Sequence, residues 1–152
     1  MSVGCNPPGG IGAIINSPVN KPCLKHIFKP GDTKIFITTV KDSDQAAFHG
    51  QVLHSVYSTF ALARDFEWSS RLFFIEMKEE DEEGVGTFLS IDHKSPAFVG
   101  EEIRIVATVE TLQANELICT IEATCGDRLI ARGKTGQKML KKEKLKKILS
   151  RE

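Results

Sequence analysis

From Val85 to Leu140 the chain alternates apolar and polar residues in runs broken by short turn signals. A period of two over that length leaves little choice but an antiparallel sheet. In Glu101–Leu112, Ile103, Ile105, Ala107 and Val109 alternate with Glu102, Arg104, Thr108 and Glu110. In Asn115–Cys125, Leu117, Cys119, Ile121 and Ala123 alternate with Glu116, Thr120 and Glu122. Gly126-Asp127 reads as a tight hairpin turn into a last strand, Arg128–Leu140. With Val85–His93 these make four strands in a meander, and the β-branched run Thr33–Val40 supplies one more ahead of them.

Between Thr33–Val40 and the meander, Lys41 to Phe48 reads as a polar connection. Gln51 to Phe66 contains no Gly or Pro, and Val52, Leu53, Val56, Tyr57, Phe60, Ala61 and Ala63 leave it few polar faces. That predicts a buried helix over 51–66, opened by Gly50. A second helix follows, capped by Ser69 or Ser70, running to about Glu80 and ended by Gly84. A helix apolar on most faces must be wrapped, most simply by a curved sheet. The expectation is an α+β hot dog fold, an antiparallel sheet around a long central helix. Its open edges and half-covered helix predict a homodimer, with a tetramer left open.

The organisation reads as an arm rich in Gly, Pro and Asn over 1–30, a domain over 31–140, and a basic tail over 141–152. At 152 residues the chain suffices for one domain with a sizeable core. The formal net charge of +0 gives no overall pull toward nucleic acid. The lysines of the tail have no aromatic residues among them, so no stacking platform for bases is present, and the tail reads as a solvated helix. The acidic run Glu76–Glu83 likewise reads as a solvated helix end. No apolar run approaches the ~20 residues that span a bilayer, so no membrane partner is expected. Cys5, Cys23, Cys119 and Cys125 form neither a C-x-x-C pair nor a ligand group with histidine. They read as reduced thiols of a cytoplasmic protein without metal or cofactor. The glycines at 9, 10 and 12 have no lysine at phosphate-loop spacing and mark a turn.

One stretch carries more. Gly86-Thr87, His93, Pro96 and Gly100, followed by two long strands and Gly133-Lys134-Thr135, resemble the hot dog thioesterases, most closely the fluoroacetyl-coenzyme A thioesterase-like group. The resemblance covers residues 31–140. It implies hydrolysis of an acyl-coenzyme A thioester. It also implies a site of four parts: a Thr or Ser before the central helix, a Glu eight residues later, a histidine ending the next strand, and the backbone N–H of the glycine in Gly-Thr. With the helix placed at 51–66, the histidine is His93 and the glycine Gly86. The Thr/Ser position then falls on His49 and the Glu position on Tyr57. The first helix carboxylate is Asp65, and about ten extra residues precede His93.

The residues themselves suggest chemistry for these places. Val85, Thr87, Leu89, Ile91 and His93 share a strand parity, so the imidazole is expected among apolar groups. His93 or His49 can act as a base near neutral pH. Free N–H groups at Gly50, on a helix N-terminus, and at Gly86 can hold an oxyanion. Tyr57 can polarise the carbonyl or position water. The expected reaction is histidine-assisted attack of water on the thioester. The alternatives are a domain that binds acyl-coenzyme A without cleaving it, favoured by the missing helix Glu; a dehydratase or hydratase, which needs a histidine paired with a helix acid; and a nucleic-acid or scaffold role for the tail.

Overall fold

The computed structural model describes residues 27–150. Strands β1 (Thr33–Thr39), β2 (Gln45–Phe48) and β3 (Gln51–Tyr57) precede helix α1 (Thr59–Met77). Strands β4 (Glu82–His93), β5 (Glu102–Gln113), β6 (Glu116–Cys125) and β7 (Arg128–Lys141) follow, then α2 (Lys142–Leu149). Five strands form one antiparallel sheet in the order β1-β5-β6-β7-β4; β2 and β3 form a separate hairpin. The sheet packs on α1 as expected of a hot dog fold, and no helix among the described residues is long and apolar enough to cross a membrane.

The alternating residues behave as their period dictates. Ile103, Ile105, Ala107 and Val109 of β5 and Leu117, Cys119, Ile121 and Ala123 of β6 are all buried. They meet the face of α1 made by Ala61, Leu62, Phe66, Phe73, Phe74 and Met77 in one core. Burying each large side chain there contributes about 1.5–3 kcal/mol. Burial, and after it the charge of Glu110, pushes the Cys119 thiol up to about 12, which makes it a packing residue.

The helix is not where its composition puts it. Residues 51–57 form β3, and α1 starts at Thr59, eight residues after the expected point. Ser58 is its N-cap, accepting a hydrogen bond from the Ala61 N–H at 3.1 Å. The two expected helices are one of 19 residues. Ser69 and Ser70 cap nothing: their hydroxyls bond back to the carbonyls of Phe66 and Glu67, which keeps them inside the helix. Gly84 ends no helix either; it lies in β4, where a Cβ would strike the Phe74 ring. The expected connection over 41–48 holds a 3-10 turn and β2. His49 and Gly50 have φ of 51° and 78°, the left-handed pair that a two-residue hairpin turn requires. Gly50 therefore opens no helix. The acidic run is also less solvated than expected: Glu82 is buried and paired with Lys141.

β4 corrects a second expectation. Its register with β7 slips between Gly86 and Phe88. Thr87 and Phe88 both lie beside Gly136, two residues opposite one, which is a β-bulge. Seven residues apart on a regular strand, Gly86 and His93 would face opposite sides. The bulge brings both to the helix side and separates Thr87 from the parity of Leu89, Ile91 and His93.

The base of the hairpin is tied to α1 by buried polar groups. The Tyr57 hydroxyl donates to Asp65, and Arg64 donates to Asp65 at 2.9 Å and to Asp44 at 3.0 Å. The Ser58 N–H donates to the Asp44 carbonyl at 2.9 Å. Residues 1–26, most of the expected arm, and the end of the basic tail lie outside the described residues.

Tyr57 is the chain's single tyrosine, so phenolate absorbance reports on it alone. Burial, then its bond to Asp65, pushes the phenol well above the usual tyrosine range. Because the folded-state value is raised, this contribution to stability is complete below the unfolded value of about 10 and declines as pH rises beyond it. No phenolate should form near pH ~10 while the fold persists; a normal titration would break the assignment. Tyr57→Phe should lower stability in urea by about 1–3 kcal/mol.

Candidate functional site

The cap at Ser58 puts Thr59 at the first position of α1, and β4 ends at His93 beside it. Thr59 Oγ1 and His93 Nδ1 are 3.2 Å apart. The other ring nitrogen, Nε2, is shut off from solvent and has no hydrogen-bond partner among the described residues. This differs from a satisfied core histidine, which uses both nitrogens. The ring has one nitrogen facing a hydroxyl at the open side and one closed off in the interior.

Two turns along the helix, Glu67 stands over Gly86. A Cβ added to Gly86 would lie 2.6 Å from Glu67 Oε1. The glycine is thus required by close approach: any side chain there displaces the carboxylate. Gly86 lies on β4, an edge strand, and an edge offers unpaired N–H groups. Helix start, helix position 67, bulged glycine and strand end therefore lie on one side of the sheet, as two contacts about two helical turns apart.

The residues expected to form the site divide sharply. His93 and Gly86 lie on the same face of β4, as the expected site needs, but seven residues apart along it. His49 and Gly50 are at the tip of the β2–β3 hairpin, both exposed, with His49 away from any helix start. Tyr57 ends β3 rather than lying two turns into a helix; its ring is buried and its hydroxyl is used by Asp65. Two residues were missed. Thr59 and Glu67 are eight apart, the spacing implied for the Thr/Ser and Glu positions, each ten residues beyond His49 and Tyr57. The usable signal was Ser58-Thr59 before an uninterrupted run to Met77. The hairpin, not a second helix, accounts for the ten extra residues.

The site is open in a single chain. Thr59, Glu67 and Gly86 are exposed, and apolar side chains exposed by 39% to 58% occur on α1 (Phe60), β4 (Phe88), the β2–β3 hairpin (Phe48, Val52, Leu53) and the segment before β5 (Phe98, Val99). Phe48 packs edge-on against Phe60, with ring centroids 6.0 Å apart, so the hairpin leans over the start of α1. No group of three or more metal-ligating side chains occurs among the described residues.

Comparison with known proteins bears on the fold and the family. The chain is similar in structure to a thioesterase superfamily member from Thermus thermophilus, at 29% identity and a TM-score of 0.76, over 79% of this chain and 89% of that one. It is similar in fold to a hot-dog-like protein from Thermanaerovibrio acidaminovorans, at 19% identity and a TM-score of 0.74, over 80% and 90% of the two chains. It is likewise similar to the fluoroacetyl-CoA thioesterase FlK, at 16% identity and a TM-score of 0.71, over 80% and 95%. FlK variants are known with fluoroacetate and CoA and with acetyl-CoA bound. No curated protein sequence matches this chain. The sequence profile of the family "FlK: Fluoroacetyl-CoA-specific thioesterase" matches residues 40–143. The chain therefore belongs to the FlK thioesterase family and is a thioester hydrolase on a hot dog fold.

Proposed function

We propose that this protein hydrolyses an acyl-coenzyme A thioester by histidine-assisted attack of water, with Thr59, Glu67, His93 and the Gly86 N–H as its working groups. The observation that carries the reading is the contact of Thr59 with His93 on the same side as Glu67 over Gly86. With Nε2 closed off from solvent, Nδ1 beside the Thr59 hydroxyl is the nitrogen that holds the working lone pair. Nδ1 takes a proton from water held beside Thr59 as the water oxygen attacks the thioester carbonyl carbon. The Gly86 N–H of a second copy stabilises the oxyanion. The carbon–sulfur bond then breaks, and the imidazolium returns the proton to the leaving thiolate. Glu67 stands about 12 Å along α1 from Thr59, so the Glu67 and Gly86 that serve this thioester come from a second copy, whose Glu67 orients the attacking water. Tyr57 serves by holding Asp65 and the hairpin base.

The rival reading, binding without cleavage, drew on the absence of a helix carboxylate. Glu67 supplies one at the required spacing. The open site supports a homodimer in which β4 of a second copy lies along β4 and covers the exposed apolar side chains. An exposed edge strand flanked by Phe88 and Leu89 is otherwise a template for uncontrolled pairing. The buried free thiol of Cys119 and the unpaired Cys125 support a reducing, cytoplasmic setting.

Thiol release from a panel of acyl-coenzyme A esters tests the reading. His93→Ala should lose about 100-fold or more in kcat. A loss as large in His49→Ala, with His93→Ala unaffected, would return the base to the hairpin. Gly86→Ala should lose at least about tenfold with the fold intact, because its methyl displaces the Glu67 carboxylate. Phe88→Asp should shift sedimentation toward the monomer and reduce turnover with it; a fully active monomer would sink the dimer.

A further inference from the structure

Glu67 projects from an exposed turn, so its carboxylate is only as well placed as the peptide that bears it. That peptide is fixed from inside the core. Gln137 Nε2 donates to the Glu67 carbonyl at 3.0 Å and to Ser70 Oγ at 2.7 Å. Thr135 Oγ1 donates to Ser70 Oγ at 2.8 Å, and Ser70 Oγ donates onward to the Glu67 carbonyl at 3.1 Å. Gln137 and Thr135 are 1% exposed and Ser70 0%.

This is an odd place for an amide. Gln137 Oε1 is buried and has no hydrogen-bond partner among the described residues. A methionine would fill similar space without stranding an acceptor, so packing alone does not call for glutamine. Its position offers another reason. In the β4–β7 register Gln137 is the direct partner of Gly86, the residue the Glu67 carboxylate stands over. One side chain therefore joins the strand pair that carries Gly86 to the helix turn that carries Glu67.

We propose that Gln137 is a positioning residue for hydrolysis: with Ser70 it sets the rotation and height of α1 at Glu67, so that the carboxylate meets Gly86. It touches no substrate and acts only through Glu67, so the inference rests on the role given to Glu67 above. The requirement is strict because misplacement by about 1 Å can cost up to about 100-fold in rate.

A double-mutant cycle on the full-length protein tests this, with kcat and KM read from thiol release and thermal midpoints from calorimetry. Gln137→Met should lower kcat about tenfold and leave KM within about twofold. In a Glu67→Gln background the same change should cost less than about twofold, since its route to the reaction is already removed. Ser70→Ala is the lighter second variant, with the same dependence on Glu67, and decides the matter if Gln137→Met fails to fold. A full tenfold loss from Gln137→Met on top of Glu67→Gln would overturn the proposal, as would wild-type kcat in Gln137→Met. Undiminished activity in Glu67→Gln alone would remove the role of Glu67 itself, an outcome separate from failure of the coupling.

Discussion

The 3.2 Å contact between Thr59 and His93 depends on two departures from regular structure occurring together. The helix must begin at Ser58, which places a hydroxyl in its first turn beside the end of β4. The strand must also bulge after Gly86, since only then do the glycine and the histidine face the helix together. Neither departure makes a site alone. Without the cap, Thr59 would join the hairpin; without the bulge, Glu67 would have a side chain, not a glycine backbone, beneath it. The active geometry is thus a meeting of one helix start with one strand irregularity, and the rest of the fold holds the two in register.

Polar groups in the core do much of that holding. Asp44, Asp65, Ser69, Ser70, Thr135 and Gln137 are nearly or completely buried. Burying a carboxylate is costly unless it is paired, and Arg64 with Tyr57 provides the pairing. Such groups add less stability than apolar side chains of equal size. They differ in being directional. Apolar packing alone would let α1 slide or rotate across the sheet by fractions of a turn. The Asp44–Arg64–Asp65–Tyr57 cluster fixes the first turns of the helix, and the Ser70–Thr135–Gln137 cluster fixes the turn that carries Glu67.

The run β5–β6–β7 was legible in the sequence; the helix start was not, nor was the place of β4, which pairs with β7 instead of opening a four-strand meander beside β5. In β5 and β6 the residues read as inward-facing are the buried ones, because strict alternation has only two phases and only one buries apolar groups. Residues 51–57 offered no such discrimination: Val52, Leu53, Val56 and Tyr57 fit a strand or a mostly apolar helix equally well, and the hairpin they form is largely exposed. Ser69 and Ser70 misled for a related reason. A serine that bonds back to the carbonyl three residues earlier is compatible with a helix interior, and the residue type does not reveal which it does. Those two errors moved the frame by ten residues. His93 and Gly86 were assigned from the legible part, whereas placing Thr59 and Glu67 depended on the helix start.

The placement of these residues also ties chemistry to assembly. A hydrolytic site gains from excluding bulk water, because dipoles and charges act more strongly in a low dielectric. A single chain does not exclude it here: three of the four groups are exposed and the flanking apolar side chains face outward. Yet those groups lie along the one edge of the sheet that carries both His93 and Gly86. Any strand that pairs with β4 must cross the open side of the site. The unpaired N–H groups that make an edge prone to association are the same kind of donor that an oxyanion needs. An edge wholly consumed by pairing would have none to spare.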